Sequence, residues 1–578
     1  MDLESCIYTG ETYPARELTD LRDLILGSAS LYAGRSAYLV KNRPGGKYEP
    51  VLYSRVKSDM NALGTAMLAD GLGGARIAVI GENRYEWALT YFAVVCGVGV
   101  IVPIDKELKE EEISSLLTRS GVGAVVYSGK YEKTVKQALE HSGCSPLAIS
   151  MDAPADDMSS GTRSLGQYIM RGIELLAGGD NSYTGAPIDP DRMAALLFTS
   201  GTTGRAKGVM LSHRNIASNV VNISSFIYLY DKTVLSVLPM HHTYEFTCLV
   251  FTAFYQGCTV AISEGLKYIV KNLEESKTQI LLSVPLFFEK MYANILRAVD
   301  KQGKKKQLER ALSMSRNIGM TKGLKKRLFK QIYKTLGGHI ELLIAGGAAM
   351  DPEIIENFNA MGIQMIQGYG MTECSPLITL NRRDKNIAAA AGMPLPCTEI
   401  KIVDADESSG IGEVAVKSPS VMLGYFDDPE ETAAAIRDGW LFTGDYGYIS
   451  DDGFLYITGR KKNVIITKNG KNVYPEEIEY HLLHSPLIEE VVVRGEDRKG
   501  DGDTVIVAEV FPSSEYFRGN FESGGMPDEK RLLELITGEI EKTNLKMANY
   551  KRVRRVVIRK EEFEKTSTQK IKRGSKPM

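Results

Sequence analysis

Short apolar runs rich in β-branched residues alternate with helical patterns along most of the chain. The runs are Arg76–Ile80, Gly123–Tyr127, Ala194–Thr199, Thr259–Ile262, Gln279–Val284, Glu341–Ala345 and Gln364–Gln367. A strand that is apolar on both faces needs cover on both faces, and crossover helices supply it. The alternation therefore predicts α/β layers on parallel sheets. Near 398–460 the pattern changes to shorter strands and turns: Glu399–Val403, Gly412–Lys417, Tyr446–Ile449 and Phe454–Thr458. That reads as a β-rich subdomain closing the large unit. After Gly459 a compact α+β unit is expected, with helices over about 475–484 and 528–543 and strands Glu490–Arg494, Val505–Phe511 and Arg554–Ile558. The segment 513–527 reads as an exposed loop. The expected division is a large N-terminal domain of layered α/β subdomains plus a β-rich subdomain, 1–459, and a small α+β C-terminal domain, 460–578.

Composition limits the rest. In 578 residues, 70 Lys+Arg stand against 72 Asp+Glu, a formal charge of −2, with 43% apolar and 25% charged residues. Collagen, low-complexity disorder and disulfide miniproteins are excluded. The near-neutral balance argues against nucleic acid as a partner. Seven scattered cysteines without CxxC pairs fit a reducing cytosol and offer no zinc spacing. The N-terminus has neither a basic start nor an apolar run, so no secretory signal is read. The most apolar stretch, Trp87–Ile104, is long enough for a short membrane span. Its glycines, Pro103 and β-branched end favour a buried helix over about 84–96 followed by a buried strand. Residues 301–334 hold 12 Lys/Arg and one acid, and 551–578 hold 11 Lys/Arg and three acids. Both read first as solvated surface, with contact to anionic lipid heads or nucleotide phosphates as the sharper alternative.

The most informative segment is TSGTTGRAKG at 199–208. Gly201 and Gly204 permit tight turns with unobstructed NH groups. The hydroxyls of Thr199, Ser200, Thr202 and Thr203 add donors, and Lys207 adds charge. Together they suit a triphosphate. The segment is not a P-loop, because Gly208 stands where a Ser or Thr must follow the lysine.

This segment resembles the phosphate-binding signature of the adenylate-forming enzymes. Further motifs of that superfamily follow in order: LPMHHTYEF at 238–246, IAGGAAM at 344–350, QGYGMTECSP at 367–376, GEVAVKSPSVMLGY at 412–425, GWLFTGD at 439–445, GRKKNVIITKNGKNVYPEEIE at 459–479 and FEKTSTQKIKR at 563–573. The resemblance spans nearly the whole chain and is nearest to the AMP-forming long-chain fatty acid–CoA ligase branch. It implies a two-step reaction. A carboxylate attacks the α-phosphorus of ATP to give an acyl-adenylate and pyrophosphate. The thiol of coenzyme A then displaces AMP. A carboxylic acid is already ionised at neutral pH, so no general base is needed. Positioning, Mg²⁺ and lysines must bring two anions together.

By position match, the resemblance makes Thr199 and Glu373 the Mg²⁺ ligands, and Thr202, Thr203 and Lys207 the β/γ-phosphate contacts. Gly346, Gly347 and Ala348 should admit adenine, with Tyr369 stacking on it. Gln367, Gly368, Gly370, Met371 and Thr372 complete the same nucleotide motif. Asp445 should accept the ribose hydroxyls with Arg460 beside it. Lys570 matches the catalytic lysine of adenylation, His242 the histidine beside the acyl site, and Lys462 the hinge about which a mobile C-terminal domain rotates. Ala206, Asn463 and Gln569 depart from the usual pattern; none removes a phosphate or metal contact.

His241, His242 and Glu245 read as packing and acyl-pocket residues, with a metal site as a minor alternative. Cys374 reads as a pocket or packing cysteine, since no nucleophile elbow surrounds it. Tyr244 and Phe246 are candidates for the mouth of an apolar acyl tunnel. Three functions stay open: an acyl-CoA ligase acting on a long- or medium-chain fatty acid, an enzyme loading an acyl carrier protein, and a silent nucleotide-binding or lipid-surface module. The expected setting is cytoplasmic, with at most peripheral membrane contact, as a monomer or homodimer.

Overall fold

The computed structural model describes residues 5–154, 163–199, 206–467, 471–497, 504–520, 525–566 and 571–573. Two large sheets form the body. In the first, Arg76–Ile80, Val100–Pro103, Ala124–Tyr127, Leu147–Ser150 and Met193–Thr199 run parallel, and Lys207–Ser212 returns antiparallel to Met193–Thr199. In the second, Ser36–Val40, Thr259–Ile262, Thr233–Ser236, Ile280–Ser283, Leu342–Ala345 and Gln364–Gly370 run parallel. Leu377–Leu380 turns back against the last of these. Every sequence-expected strand of both sheets is present, because fully buried β-branched runs have no other low-energy place to go. The apolar stretch at 87–104 is a helix, Tyr85–Ala93, then a π-helical turn, then the strand Val100–Pro103. Among the described residues, no helix is long and apolar enough to cross a membrane.

The third sheet is antiparallel: Glu399–Val403, Gly412–Lys417, Trp440–Ile449 and Leu455–Arg460. The small C-terminal part has its own core, from Ile465 onward, on the sheet of Ile488–Asp497, Thr504–Pro512 and Arg555–Ile558. One expectation fails there. The segment expected as a loop, 513–527, includes a helix, Ser514–Asn520. The cause is Phe517, which is fully buried in the small core and holds one helical turn against it. The Phe517 amide donates to Ser513 O.

Candidate active site

Open α/β sheets leave their binding crevices at the carboxyl ends of the strands. The motif residues gather there. Thr199 ends its strand and faces Lys207 across the antiparallel ladder. The Thr199 hydroxyl lies 3.5 Å from Lys207 O. The strands on either side of this segment therefore pair antiparallel, which sets Thr199 and Lys207 side by side. Ser200, Gly201, Thr202, Thr203 and Gly204 themselves lie outside the described residues.

Lys207 Nζ sits 4.9 Å from the centroid of the Tyr425 ring and 2.5 Å from Glu431 Oε2. The Tyr425 hydroxyl donates to Glu373 Oε1 at 2.9 Å. Burial, then the Glu373 carboxylate, raises the Tyr425 phenol above its ordinary value, so it stays a donor. A lysine and a glutamate 166 positions apart (373 − 207) thus meet through one tyrosine. Sequence reading quoted Tyr425 inside a motif but gave it no role; only the fold shows which two groups it joins.

The strand Gln364–Gly370 runs from this corner to the next. Tyr369 donates to Asp445 Oδ2 at 2.6 Å, and Arg460 Nε lies 2.9 Å from Asp445 Oδ1. Asp445 is buried, and its ladder partner is Arg460. Burial, then the neighbouring carboxylate, holds the Tyr369 phenol far above its ordinary value. Tyr369 therefore has a positioning contact that the stacking role alone did not foretell.

The chain at 346–348 passes close above the strand ends. A Cβ at Gly346 would lie 2.7 Å from the Tyr244 ring, and Gly347 has φ +86°, so both positions require glycine. Gln367 pins this loop from below: its Oε1 accepts from Met350 N at 3.1 Å and its Nε2 donates to Ala388 O at 2.7 Å. Gly370 allows Pro376 O to approach where a Cβ would come within 2.1 Å. Gly368 likewise faces Thr379 O. Met371 and Thr372 lead into the short helical turn Thr372–Cys374 that carries Glu373. Cys374 is buried, and burial raises its thiol pKa, as a packing cysteine requires.

An apolar cavity opens beneath Gly368, lined by Ile223, Tyr244, Cys248, Leu282, Ile344 and Leu377 among others. It leaves about 30 Å³ in which the centre of a water molecule can sit. Tyr244 is among the residues that line this cavity, and Phe246 is not. It is buried in an aromatic cluster with Trp87, Tyr91, Phe92 and Phe251. The helix changes to π-helical winding over Phe246–Phe251, which rotates its faces and sends this side chain into the core.

His242 caps the turn that follows, with its amide on Pro239 O, and its ring lies 4.1 Å from that of His241. Glu245 is directed elsewhere. It is fully buried and accepts from the Ser236 hydroxyl. Burial pushes its carboxyl up to about 8.

Lys462 is exposed in the turn Lys461–Asn463, between the antiparallel sheet and the small core. Burial, then Arg460 and Arg573, lowers its ammonium pKa. The departure at Asn463 has a physical account: its amide donates to Glu476 Oε1 at 2.6 Å, where an aspartate would set two carboxylates together. Lys570 lies outside the described residues, but its neighbours are placed. Ile571 bridges to Lys565, and Arg573 reaches Glu479 and Glu476 beside Asn463. The chain that follows Lys570 thus docks on the small part close to the turn Lys461–Asn463.

Oxygen donors from Thr199 and Glu373 suit a hard cation such as Mg²⁺. Two polar clusters, Lys207–Tyr425–Glu373 and Tyr369–Asp445–Arg460, thus stand at the two ends of the segment 369–373.

Comparison with known proteins agrees. A model of the AMP-binding enzyme family matches residues 28–426, and one of the AMP-binding enzyme C-terminal domain matches 462–576. A long-chain-fatty-acid–CoA ligase of Homo sapiens is 29% identical over 525 residues, 84% of this chain and 74% of its own length. Long-chain-fatty-acid–CoA ligase FadD15 of Mycobacterium bovis is 27% identical over 572 residues, 91% of this chain and 90% of its own. The o-succinylbenzoate–coenzyme A synthetase of Bacillus subtilis, solved with ATP and magnesium ion, shares the fold. It aligns at a TM-score of 0.70 with 21% identity, over 96% of this chain and 98% of its own.

Proposed function

Because the chain belongs to the AMP-binding enzyme family, we propose that it is an AMP-forming acid–thiol ligase acting on a long- or medium-chain fatty acid. It first forms an acyl-adenylate from the acid and ATP, with release of pyrophosphate. The thiol of coenzyme A then takes the acyl group and AMP leaves. The observation that supports this most is that four separated motifs supply two polar clusters, Lys207 with Glu373 through Tyr425 and Tyr369 with Asp445 and Arg460, joined by the segment 369–373.

The acid arrives ionised, so the residues act by placement and charge. Thr199 and Glu373 would hold Mg²⁺, which when bound neutralises charge on the phosphate oxygens. Lys207 exchanges Glu431 for the β/γ-phosphates. Asp445, held by Tyr369 and Arg460, fixes the ribose. Lys570 neutralises the developing charge during adenylation only. Lys462 is the hinge whose rotation withdraws Lys570 and brings the face carrying Tyr474 and Pro475 to the thiol. Tyr244 and the cavity below Gly368 receive the start of the acyl chain. Burial of each methylene there contributes about 0.8 kcal/mol, so the tunnel dominates substrate choice.

Coenzyme A is preferred to a carrier protein as acceptor because the relatives named above are CoA ligases. The setting proposed is cytoplasmic, with a surface that reaches lipid. A product assay offering coenzyme A and a holo-carrier protein side by side, over fatty acids of increasing length, tests the reading. Acyl-CoA is the expected product. Acyl-carrier protein alone, or no thioester at all, would overturn it.

A further inference from the structure

The turn 237–242 lies outside the ladder of the second sheet. It follows the strand Thr233–Ser236 and leads into the helical turn Thr243–Glu245, which carries Tyr244. Buried backbone groups in such a turn need partners from elsewhere. Leu238 and Met240 are buried, and the partner is Asn83, which belongs to the first sheet's connections. Its Nδ2 donates to Leu238 O at 2.6 Å and to Ser236 Oγ at 2.9 Å, and its Oδ1 accepts from Met240 N at 3.1 Å. The Ser236 hydroxyl in turn donates to the fully buried Glu245. Asn83 follows the strand Arg76–Ile80, and its neighbour Arg84 is itself fixed, by Asp152 at 2.7 Å and Glu86 at 2.7 Å. Asp105 follows the adjacent parallel strand Val100–Pro103, and its Oδ2 lies 3.5 Å from His241 Nε2. One turn of the second sheet is thus gripped from the carboxyl ends of two strands of the first.

We propose that Asn83 is a positioning residue for the acyl end of the ligase: it holds the turn 237–242 so that His242 and Tyr244 keep one setting toward the acid. The proposal rests on the reading given under Proposed function and adds a residue to it. Asparagine suits the place because its amide donates and accepts at once and brings no charge toward buried Glu245. The polar nucleotide contacts do not pass through this turn. Lys207 is held by Glu431, Glu373 by Tyr425, and Asp445 by Tyr369 and Arg460. Loss of Asn83 should therefore be felt by the acid and not by ATP. A small drift of the turn would displace both acyl-side residues together, and a misplacement of about 1 Å is enough to cost about 10²-fold in rate.

The experiment measures acid-dependent exchange of labelled pyrophosphate into ATP for the wild type, N83A and H241Q, each with its Tm. In N83A, kcat/KM for the acid should fall by about 10- to 100-fold, while KM for ATP stays within about twofold of wild type. H241Q should move the same constant in the same direction by less. The double variant N83A/H241Q should cost little more than N83A alone, because both residues hold one turn. N83S keeps a hydroxyl donor and should recover part of the loss; it supplies the same comparison if N83A lowers the Tm. Equal losses toward acid and ATP, folded variants with wild-type constants, or single losses that multiply in the double variant would each overturn the proposal. A wild type that shows no exchange would instead defeat the ligase reading on which the proposal rests.

Discussion

The two ends of the proposed site are built differently. At the nucleotide end, the polar groups already hold one another: Tyr369 and Arg460 clamp Asp445, Tyr425 holds Glu373, and Glu431 holds Lys207. At the proposed acyl end the lining is apolar apart from the Tyr244 hydroxyl, which reaches Ser283 O and Ile344 O. Polar recognition fails if a donor is an ångström out of place, so its partners are fixed before the ligand arrives. Apolar recognition is non-directional, so a wall can rest closed and yield. Damage at the first end should therefore appear as lost rate, and damage at the second as altered choice of acid.

The largest effect expected is that of Lys570→Ala. Losing a directed charge contact in the transition state costs about 3–4 kcal/mol, or about 10²–10³-fold in rate. Acyl-adenylate formation should fall by that factor. Thioester formation from supplied acyl-adenylate should stay near wild type. Equal loss of both half-reactions would refute the separation of roles. Next is Asp445→Asn. It keeps the shape but removes a charge held by Arg460 and offered to the ribose. Hydrogen bonds to charged groups contribute about 1.5–3 kcal/mol, so kcat/KM for ATP should drop by about 10- to 100-fold with the chain-length preference unchanged. A shifted chain-length profile would break the contrast between the two ends.

At the acyl end, Tyr244→Ala should move the preferred acid toward longer chains. Each further methylene buried changes relative kcat/KM by about fourfold, while KM for ATP moves little. A variant with wild-type chain preference and impaired ATP use would place Tyr244 at the nucleotide end instead. The smallest effect lies beneath both ends. Glu245 has an ordinary pKa of 4.5, raised to about 8 by burial. Between those values the folded protein keeps a proton that the unfolded chain releases, so this group's contribution to stability is lost as pH rises through that window. Thermal melts across that window should show the decline in the wild type and a flatter profile for Glu245→Gln. Parallel profiles would show that Glu245 is ionised in the folded state.

What could be read before the fold was known divides along the same line. The buried strands were legible because continuous β-branched runs admit one structure. The hydroxyl-rich segment at 199–204 stood out because phosphate contact favours small, hydroxyl-bearing residues, whereas Glu373 and Asp445 were singled out only by the order of motifs shared with the adenylate-forming enzymes. Tyr425 and Glu431 were not, since a tyrosine or glutamate that braces another side chain carries no local mark. Phe246 was a candidate for the mouth of an acyl tunnel, and residue identity does not reveal the π-helical turn Phe246–Phe251 in which it packs into the core. Phe517 was taken for loop because a single buried aromatic among glycines and polar residues sets up no periodicity.

The central claim is that separated motifs assemble one site for joining a fatty acid to AMP. The direct measurement is acid-dependent exchange of labelled pyrophosphate into ATP, before any thiol is added. The account predicts exchange that requires both Mg²⁺ and a fatty acid, rises with chain length to an optimum, and collapses in Lys570→Ala. A folded wild-type protein that exchanges no label with any carboxylic acid would contradict it.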